Sequence, residues 1–238
     1  MWVELFLCLL LAHLVADFVL QTRRTCEDKI ERRIRSPYHY LHAATVFGLS
    51  WLVSWDVSFW WCALLIGVTH WAIDMWKSYR DEKVTWFILD QALHVLVIAG
   101  VSWLWCSLHE WSIPFGISAC TVASAVAVLV CWKPANIFTK LMLKHYSVNM
   151  PEDRENGFNA GALIGTIERW LILIFVCLQR YDALGLLIAA KSIIRFGDSQ
   201  TNKSEYVLAG TLLSIFIAVL AGMMIGWLVG FKVCSPVQ

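Results

Sequence analysis

The sequence predicts an all-α protein, a polytopic bundle of about eight transmembrane helices. Of its 238 residues, 59% are hydrophobic and 16% are charged, whereas about 25% of residues in a typical soluble domain are charged. The apolar residues form long runs between short charged segments, which is typical of a chain that crosses a membrane several times. The net charge of +1 by itself says nothing about acidic partners. We expect the lipid bilayer, and no nucleic acid, as the partner.

Eight segments have or approach the length of a membrane span, which is about 17–25 residues. They are residues 2–21, 38–55, 57–76, 84–105, 113–132, 157–178, 183–196 and 206–230. The seventh segment is short for a complete crossing. The first segment lacks the basic start and the cleavage site of a signal peptide, so we interpret it as a retained span. The spans group into a four-span bundle (1–112), a fifth span with its connection (113–156) and a three-span bundle (157–238).

Basic residues predict the orientation of these spans. Fifteen lysines and arginines fall in alternate connections, whereas only Arg180 and Lys232 fall on the opposite side. Because cytoplasmic connections of membrane proteins carry an excess of basic residues, the basic connections are predicted to be cytoplasmic. Both termini then lie on the non-cytoplasmic side.

Histidine and aspartate lie four residues apart in three of the first four spans. The pairs are His13 with Asp17, His70 with Asp74, and Asp90 with His94. Four residues separate side chains on one helix face. The order reverses in the fourth span, which runs in the opposite direction, so each aspartate lies about one turn nearer the cytoplasm than its histidine. His42 in the second span lies level with the aspartates.

This polar layer predicts a metal site. An aspartate at the centre of a span costs about 2.5–3.5 kcal/mol, and three ionised aspartates repel one another unless a cation neutralises them. Histidine and carboxylate ligands without thiolates favour zinc, manganese or iron, and the seven side chains are enough for one or two ions. Two alternatives stay open, namely a proton or ion relay and purely structural polar packing.

The eight cysteines are scattered through the apolar runs. We interpret them as small buried hydrophobic residues, not as a disulfide framework or a thiolate metal site. Gln21 and Gln91 are candidates for orienting the ligands, and His39, His109 and His145 are interpreted as surface histidines.

Charged residues recur in the later spans. Arg169, Lys191 and Arg195 are candidates for binding a phosphate or carboxylate of a substrate. The structural alternative is a Glu168–Lys191 ion pair, with Arg195 reaching the interface. Residues 22–37 are predicted to form a short charged helix that faces lipid headgroups and fixes the topology.

Two glycine stripes have four-residue spacing, at positions 157, 161 and 165 and at positions 222, 226 and 230. Such stripes let helix backbones approach closely. Packing within the bundle is the preferred interpretation, and oligomerisation is the alternative.

The segments HLVADFVLQ, THWAID and LDQALH, with His42 between the first two, resemble a family of bacterial inner-membrane proteins classed as a domain of unknown function. The resemblance covers roughly residues 5–100, and the segments IGTIERWLIL and AAKSIIRF are similar to longer members. It implies a multi-pass protein of the inner membrane and singles out the same seven histidine and aspartate residues, but it supplies no reaction. A looser similarity, used as analogy, connects the chain to predicted membrane-bound metal-dependent hydrolases.

The most concrete hypothesis is metal-dependent hydrolysis of a lipid-linked or phosphorylated substrate. One ion would activate water, and Asp17, Asp74 or Asp90 would act as the catalytic base where it is not a ligand. The alternatives are a proton- or ion-coupled transporter or channel, and a non-catalytic membrane scaffold or effector. A hydrolase needs ligands that converge on an open coordination position, whereas a relay needs a polar route that continues to the far side.

Overall fold

The computed structural model describes residues 2–146, 160–196 and 201–229, with side chains except at residues 160, 194–196, 201–207 and 228–229. Every regular element in these ranges is a helix, so the all-α prediction is confirmed for them. The chain forms two compact units, Met1–Val126 and Ala127–Gln238. The three-part division at residues 112 and 156 stays a prediction.

The described ranges contain α1 (Trp2–Leu14), α2 (Arg23–Arg32), α3 (Pro37–Ser54), α4 (Trp60–Lys77), α5 (Val84–Leu108), α6 (Ala119–Val130), α7 (Lys133–His145), α8 (Ala160–Cys177), α9 (Tyr181–Phe196) and α10 (Thr201–Val229). A π-helix continues α1 over Val15–Leu20. Short 3-10 helices lie at Arg33–Arg35, Val57–Phe59 and Pro114–Gly116.

Five helical segments in the described part of the chain are long and apolar enough to cross a membrane. They are Trp2–Leu20, Val57–Lys77, Val84–Leu108, Ala119–His145 and Leu208–Trp227. Their length and composition indicate a membrane protein. The count of eight spans, the orientation and the inner-membrane location stay predictions.

Four long helices of the first unit pack as a closed ring. Helices α1 and α4 each contact both α3 and α5, so every helix lies between two others. Large apolar side chains on the outside, such as Leu52, Leu96 and Trp103, are exposed, whereas His13 and Asp90 are buried. An apolar exterior around a polar interior is the arrangement expected of a bundle in lipid.

The first predicted span changes its helix type near its end. Residues Val15–Leu20 form a π-helix, and Gln21 has an extended backbone (φ −78°, ψ 128°). Single π-helical turns are rare overall, but those that occur often lie at functional sites. Asp17 lies in this segment, with its Oδ1 atom 3.6 Å from His13 Nδ1. Gln21, a candidate for orienting the ligands, therefore lies just after the end of the helix.

The first basic connection forms the predicted charged helix, α2. The side chain of Thr22 caps the start of α2, and Ser36 caps the start of α3. The Ser36 hydroxyl donates to Asp28 Oδ1 at 2.5 Å, which fastens α2 to the start of α3. In this position Lys29 is buried, whereas its neighbours Arg23 and Arg32 are exposed.

The fifth predicted span starts later than expected. Residues 113–118 form a turn that contains Phe115 at φ 62°, and α6 begins only at Ala119. Helix α6 ends at Val130, and Pro134 lies in the first turn of α7, a position that proline favours. Residues 147–156 of the predicted connection lie outside the described residues.

In the second unit, α8 packs against α7, α9 and α10, and α10 also contacts α7. A Cβ atom added at Gly222 would lie 2.6 Å from Val176 Cγ1, so α8 and α10 approach as closely as a glycine allows. This contact agrees with a packing role for the stripe that contains Gly222. Gly157 and Gly230 lie outside the described residues.

Candidate metal centre

The predicted ligands converge at one end of the ring, where α1 and α4 end and α3 and α5 begin. They form three overlapping groups: His13, Asp17 and His70; His42, His70 and Asp74; and Asp74, Asp90 and His94. Within each group the ligand atoms lie within 4.8 Å of one another. These clusters could hold a metal ion. The predicted convergence is confirmed, whereas the roles of the residues as ligands or catalytic groups stay predictions.

The first part of the cluster has the spacing of a four-coordinate metal site. His42 Nε2 lies 2.9 Å from His70 Nε2, 3.3 Å from Asp17 Oδ1 and 3.7 Å from Asp74 Oδ2. His70 Nε2 lies 3.4 Å from Asp17 Oδ1 and 4.0 Å from Asp74 Oδ2. Tetrahedral ligands at about 2.0–2.1 Å from zinc are separated by about 3.3 Å. The observed distances, from 2.9 Å to 4.0 Å, include values shorter and longer than 3.3 Å.

A second part of the cluster lies against the other oxygen of Asp74. His94 Nε2 is 4.0 Å from Asp74 Oδ1 and 3.5 Å from Asp90 Oδ1. His94 Nε2 and Asp90 Oδ1 are buried and have no hydrogen-bond partner among the described residues. Gln91 Nε2 donates to Asp90 Oδ2 at 3.0 Å, which confirms the orienting contact expected for Gln91. Because unpartnered buried polar atoms are costly, a cation between His94 and Asp90 would stabilise both.

His13 lies beneath these two parts. Its side chain is 2% exposed, and neither ring nitrogen has a hydrogen-bond partner in the described part of the chain. Its ring centroid is 5.0 Å from that of His94 and 5.5 Å from that of His70. His13 is therefore a further buried donor group aimed at the cluster.

Two lysines belong to the cluster, and the sequence analysis had placed both in connections. Lys29 donates a hydrogen bond to Asp74 Oδ2, and Lys77 Nζ donates to Asp90 Oδ2 at 2.5 Å. The interpretation of Lys29 as part of a solvated, headgroup-facing segment was wrong, because its side chain is only 9% exposed. Lys77 follows Asp74 by three residues on one helix, a spacing that could have identified it.

These lysines leave the cluster with one uncompensated negative charge. The site holds three aspartates and two lysines, so one negative charge remains when the histidines are neutral. The remaining carboxylate, Asp17, has its oxygen beside His42 and His70. Because charges interact more strongly in a low-dielectric interior than in water, this arrangement attracts a cation.

Next to the histidines the ring holds a small cavity with mostly aliphatic walls. A cavity of about 10 Å³ lies next to His13, His70 and His94, and its other lining residues are Val46, Ile66, Thr69, Val97 and Ile98. This volume is about that of a single water-sized sphere. The polar layer therefore does not continue as a chain of ionisable groups past these histidines in the described part of the ring.

Three histidines were expected at the surface. His109 and His145 are exposed, but the expectation for His39 was wrong. His39 is 1% exposed, and neither of its ring nitrogens has a hydrogen-bond partner among the described residues. It lies in the first turn of α3, which α2 covers. His39 is buried because α2 folds back onto α3.

The charged residues of the second unit make local contacts. Arg169 is 1% exposed and donates to the Cys131 carbonyl at 2.7 Å, to Ser214 Oγ at 3.0 Å and to Asn136 Oδ1 at 2.5 Å. The expected ion pair of Lys191 with Glu168 is present. The side chain of Arg195 lies outside those that the structure describes. A substrate-binding role for Arg169, Lys191 and Arg195 stays a prediction.

Among the described residues, no cysteine belongs to the three ligand groups. Cys8, Cys62 and Cys131 are buried and carry free thiols, as the sequence analysis expected. Cys26 in α2 is half-buried, and burial raises the pKa of its thiol above the ordinary value.

Comparison with known families identifies the part of the chain that carries the cluster. Residues 5–122 match the family described as "Protein of unknown function (DUF3307)". These residues, the DUF3307 segment, make up just under half of the chain. The DUF3307 segment includes α3, α4, α5 and every predicted metal ligand. No curated protein and no solved structure matches the chain, so the similarity to metal-dependent hydrolases stays an analogy.

Proposed function

We propose that this protein is an enzyme of the bacterial inner membrane that holds divalent transition metal in the DUF3307 segment. The metal is zinc, manganese or iron, and the reaction is hydrolysis of a lipid-linked or phosphorylated substrate. The predicted orientation gives the site access from the cytoplasm. The single observation that carries the proposal is the spacing of Asp17, His42, His70 and Asp74, whose ligand atoms lie 2.9–4.0 Å apart at the pairs measured.

The chemistry of the clustered histidines and aspartates supports a bound metal ion in addition to the lysine ammonium groups. Neutral imidazoles and ionised carboxylates bind zinc, manganese and iron well, and Lys29 and Lys77 are bonded to carboxylates of the cluster. His13 and His94 have buried ring nitrogens without a partner in the described residues. A metal ion would satisfy such nitrogens without adding a proton.

Hydrolysis assigns separate tasks to the residues of the cluster. A divalent ion supplies Lewis acidity toward a phosphate oxygen and toward water. A carboxylate oxygen of the cluster that does not bind the ion accepts the proton of the attacking water. The water oxygen forms a bond to phosphorus, the bond from phosphorus to the lipid oxygen breaks, and that oxygen takes up a proton. Lys77, with 37% of its side chain exposed, lies at the open edge of the cluster and is placed to attract an anionic substrate.

One observation favours a second candidate, a site without metal. Lys29 and Lys77 already pair with two of the three aspartates, as they would in a proton-coupled transporter or a structural polar layer. The cavity next to His13, His70 and His94 has no other ionisable side chain in its lining, which weighs against the transporter, since a relay needs a polar route to the far side.

The experiment that tests the enzymatic proposal is a phosphate-release assay on the purified full chain in detergent. The substrates are a long-chain alkyl phosphate and a short water-soluble phosphate ester, each with zinc, manganese or a chelator. We expect metal-dependent release, faster with the long-chain substrate, and a loss of at least about 100-fold in Asp17→Asn. Asp81→Asn, an exposed aspartate outside the cluster, is the matched control. Metal-bound protein that releases no phosphate from either substrate would contradict the hydrolase.

A further inference from the structure

The carboxylate of Asp74 separates the cluster into two cation positions. Its Oδ2 atom faces His42 and His70, at 3.7 Å and 4.0 Å. Its Oδ1 atom faces His94 on the neighbouring helix, at 4.0 Å. A carboxylate whose two oxygens point at different sets of ligands is suited to bridge two metal ions.

Each side of Asp74 has its own further donors. On the Oδ2 side, Asp17 Oδ1 lies 3.3 Å from His42 Nε2 and 3.4 Å from His70 Nε2. On the Oδ1 side, His94 Nε2 and Asp90 Oδ1 lie 3.5 Å apart. The donors on the Oδ1 side are nearly fully buried, with His94 at 2% and Asp90 at 1% exposed, and these two atoms have no hydrogen-bond partner among the described residues. Two separate sets of possible ligand atoms therefore share a single carboxylate.

Each of the two sets of ligand atoms has a lysine ammonium group bonded to one of its aspartates. Lys29 is bonded to Asp74 Oδ2, and Lys77 is bonded to Asp90 Oδ2. Lys29 thus occupies the Asp74 oxygen that faces His42 and His70, whereas Lys77 leaves the Asp90 Oδ1 atom beside His94 free. The structure already places one cation against each of the two sets.

We propose that the protein binds two divalent metal ions bridged by Asp74, an inference that rests on the proposed metal-dependent function. Asp17, His42 and His70 complete the first position, and Asp90 and His94 complete the second. In two-metal sites one ion acts on the attacking oxygen and the other on the leaving oxygen of a phosphoryl group.

The binding of two divalent ions changes the charge balance of the cluster. Two divalent ions carry four positive charges, whereas Asp17, Asp74 and Asp90 supply three negative charges. The ammonium groups of Lys29 and Lys77 must therefore move off the aspartate oxygens when the ions bind. The charge that remains is positive, which suits an anionic substrate such as a phosphate ester and disfavours a neutral one.

The test is the metal stoichiometry of the full chain, purified in detergent, loaded with manganese and freed of weakly bound ions by gel filtration. Elemental analysis is expected to give two manganese ions per chain in the wild type, and electron paramagnetic resonance an exchange-coupled pair. His94→Ala is expected to hold one ion and to lose the coupled signal. His145→Ala, which removes an exposed histidine of α7, is expected to hold two ions.

The outcomes separate this inference from the proposed function. One ion in the wild type, or two ions in a folded His94→Ala protein, would overturn the second position but leave a metal enzyme intact. A wild-type protein without bound metal would overturn both. If His94→Ala fails to fold, the stoichiometry and the coupled signal of the wild type still decide the question.

Discussion

The side chain of Lys29 is bonded to the carboxylate of Asp74, so a residue of the predicted cytoplasmic helix α2 enters a cluster of intramembrane ligands. Both side chains are largely buried, at 9% and 12% exposed. Breaking a buried ion pair from one side leaves an uncompensated charge, which costs about 3–5 kcal/mol. The pair therefore stabilises the metal-free protein and, by the same charge, competes with a metal ion.

Lys29→Met is expected to have opposite effects on stability and on metal affinity. The metal-free protein should unfold at a lower temperature, because Asp74 loses its counter-ion, and the affinity for zinc should rise by about tenfold or more, because a nearby positive charge is removed. Thermal unfolding and zinc titration measure the two effects. Lys83→Met, in an exposed pair with Asp81, is the control and should change neither. A fall in zinc affinity in Lys29→Met would contradict competition between the lysine and the ion.

Arg169 is expected to act through packing. Its guanidinium donates to groups on three segments, including Cys131, Asn136 and Ser214, and Arg169→Met would leave buried acceptors unpaired at about 1–3 kcal/mol each. We expect a clear loss of thermal stability. Arg180→Met, at an exposed arginine, should cost little. Unchanged stability in Arg169→Met together with a raised KM would instead indicate the substrate-binding role.

Gly222→Ala should destabilise the packing of α8 against α10. The added Cβ would lie 2.6 Å from Val176 Cγ1, an overlap that forces one helix to shift at a cost of about 1–3 kcal/mol. Gly185→Ala in α9 meets nothing within 4 Å and should be neutral or slightly stabilising. Equal unfolding temperatures for the two variants would argue against close packing at Gly222.

The predicted orientation can be tested with single cysteines in an otherwise cysteine-free chain. A cysteine at Glu110 should react with a membrane-impermeant maleimide added from outside intact cells, because its connection is predicted to be non-cytoplasmic. A cysteine at Arg24, exposed at the start of α2, should react only after the cells are opened. Labelling at Arg24 from outside would reverse the orientation and place the cluster on the other side.

The sequence predicted the clustering of the histidine and aspartate side chains, because the information for it is local. A four-residue spacing sets the helix face of His13, Asp17, His70 and Asp74, and the depth of each pair follows from the span ends. These quantities depend on helix geometry alone. The convergence of the pairs in the structure confirms that reasoning.

The features that the sequence did not reveal depend on contacts between distant segments. The pairing of Lys29 with Asp74 requires α2 to fold back onto α3, and the burial of His39 has the same cause. No local pattern of residues in the sequence indicates that α2 packs against α3. The π-helix around Asp17 was also missed, because a change of one residue per turn leaves the pattern of apolar residues in a short segment almost unaltered.

The central claim is that a transition metal occupies the cluster and adds to the stability of the bundle. The most direct measurement is elemental analysis of the purified full chain, paired with thermal unfolding with and without a chelator. Since binding to the folded state alone raises stability, we predict stoichiometric zinc, manganese or iron, a lower unfolding temperature after chelation and recovery when metal is restored. His70→Ala should lose both the metal and the response to the chelator. A wild-type protein that holds no metal, and whose unfolding is indifferent to chelator and to added zinc or manganese, would contradict the account.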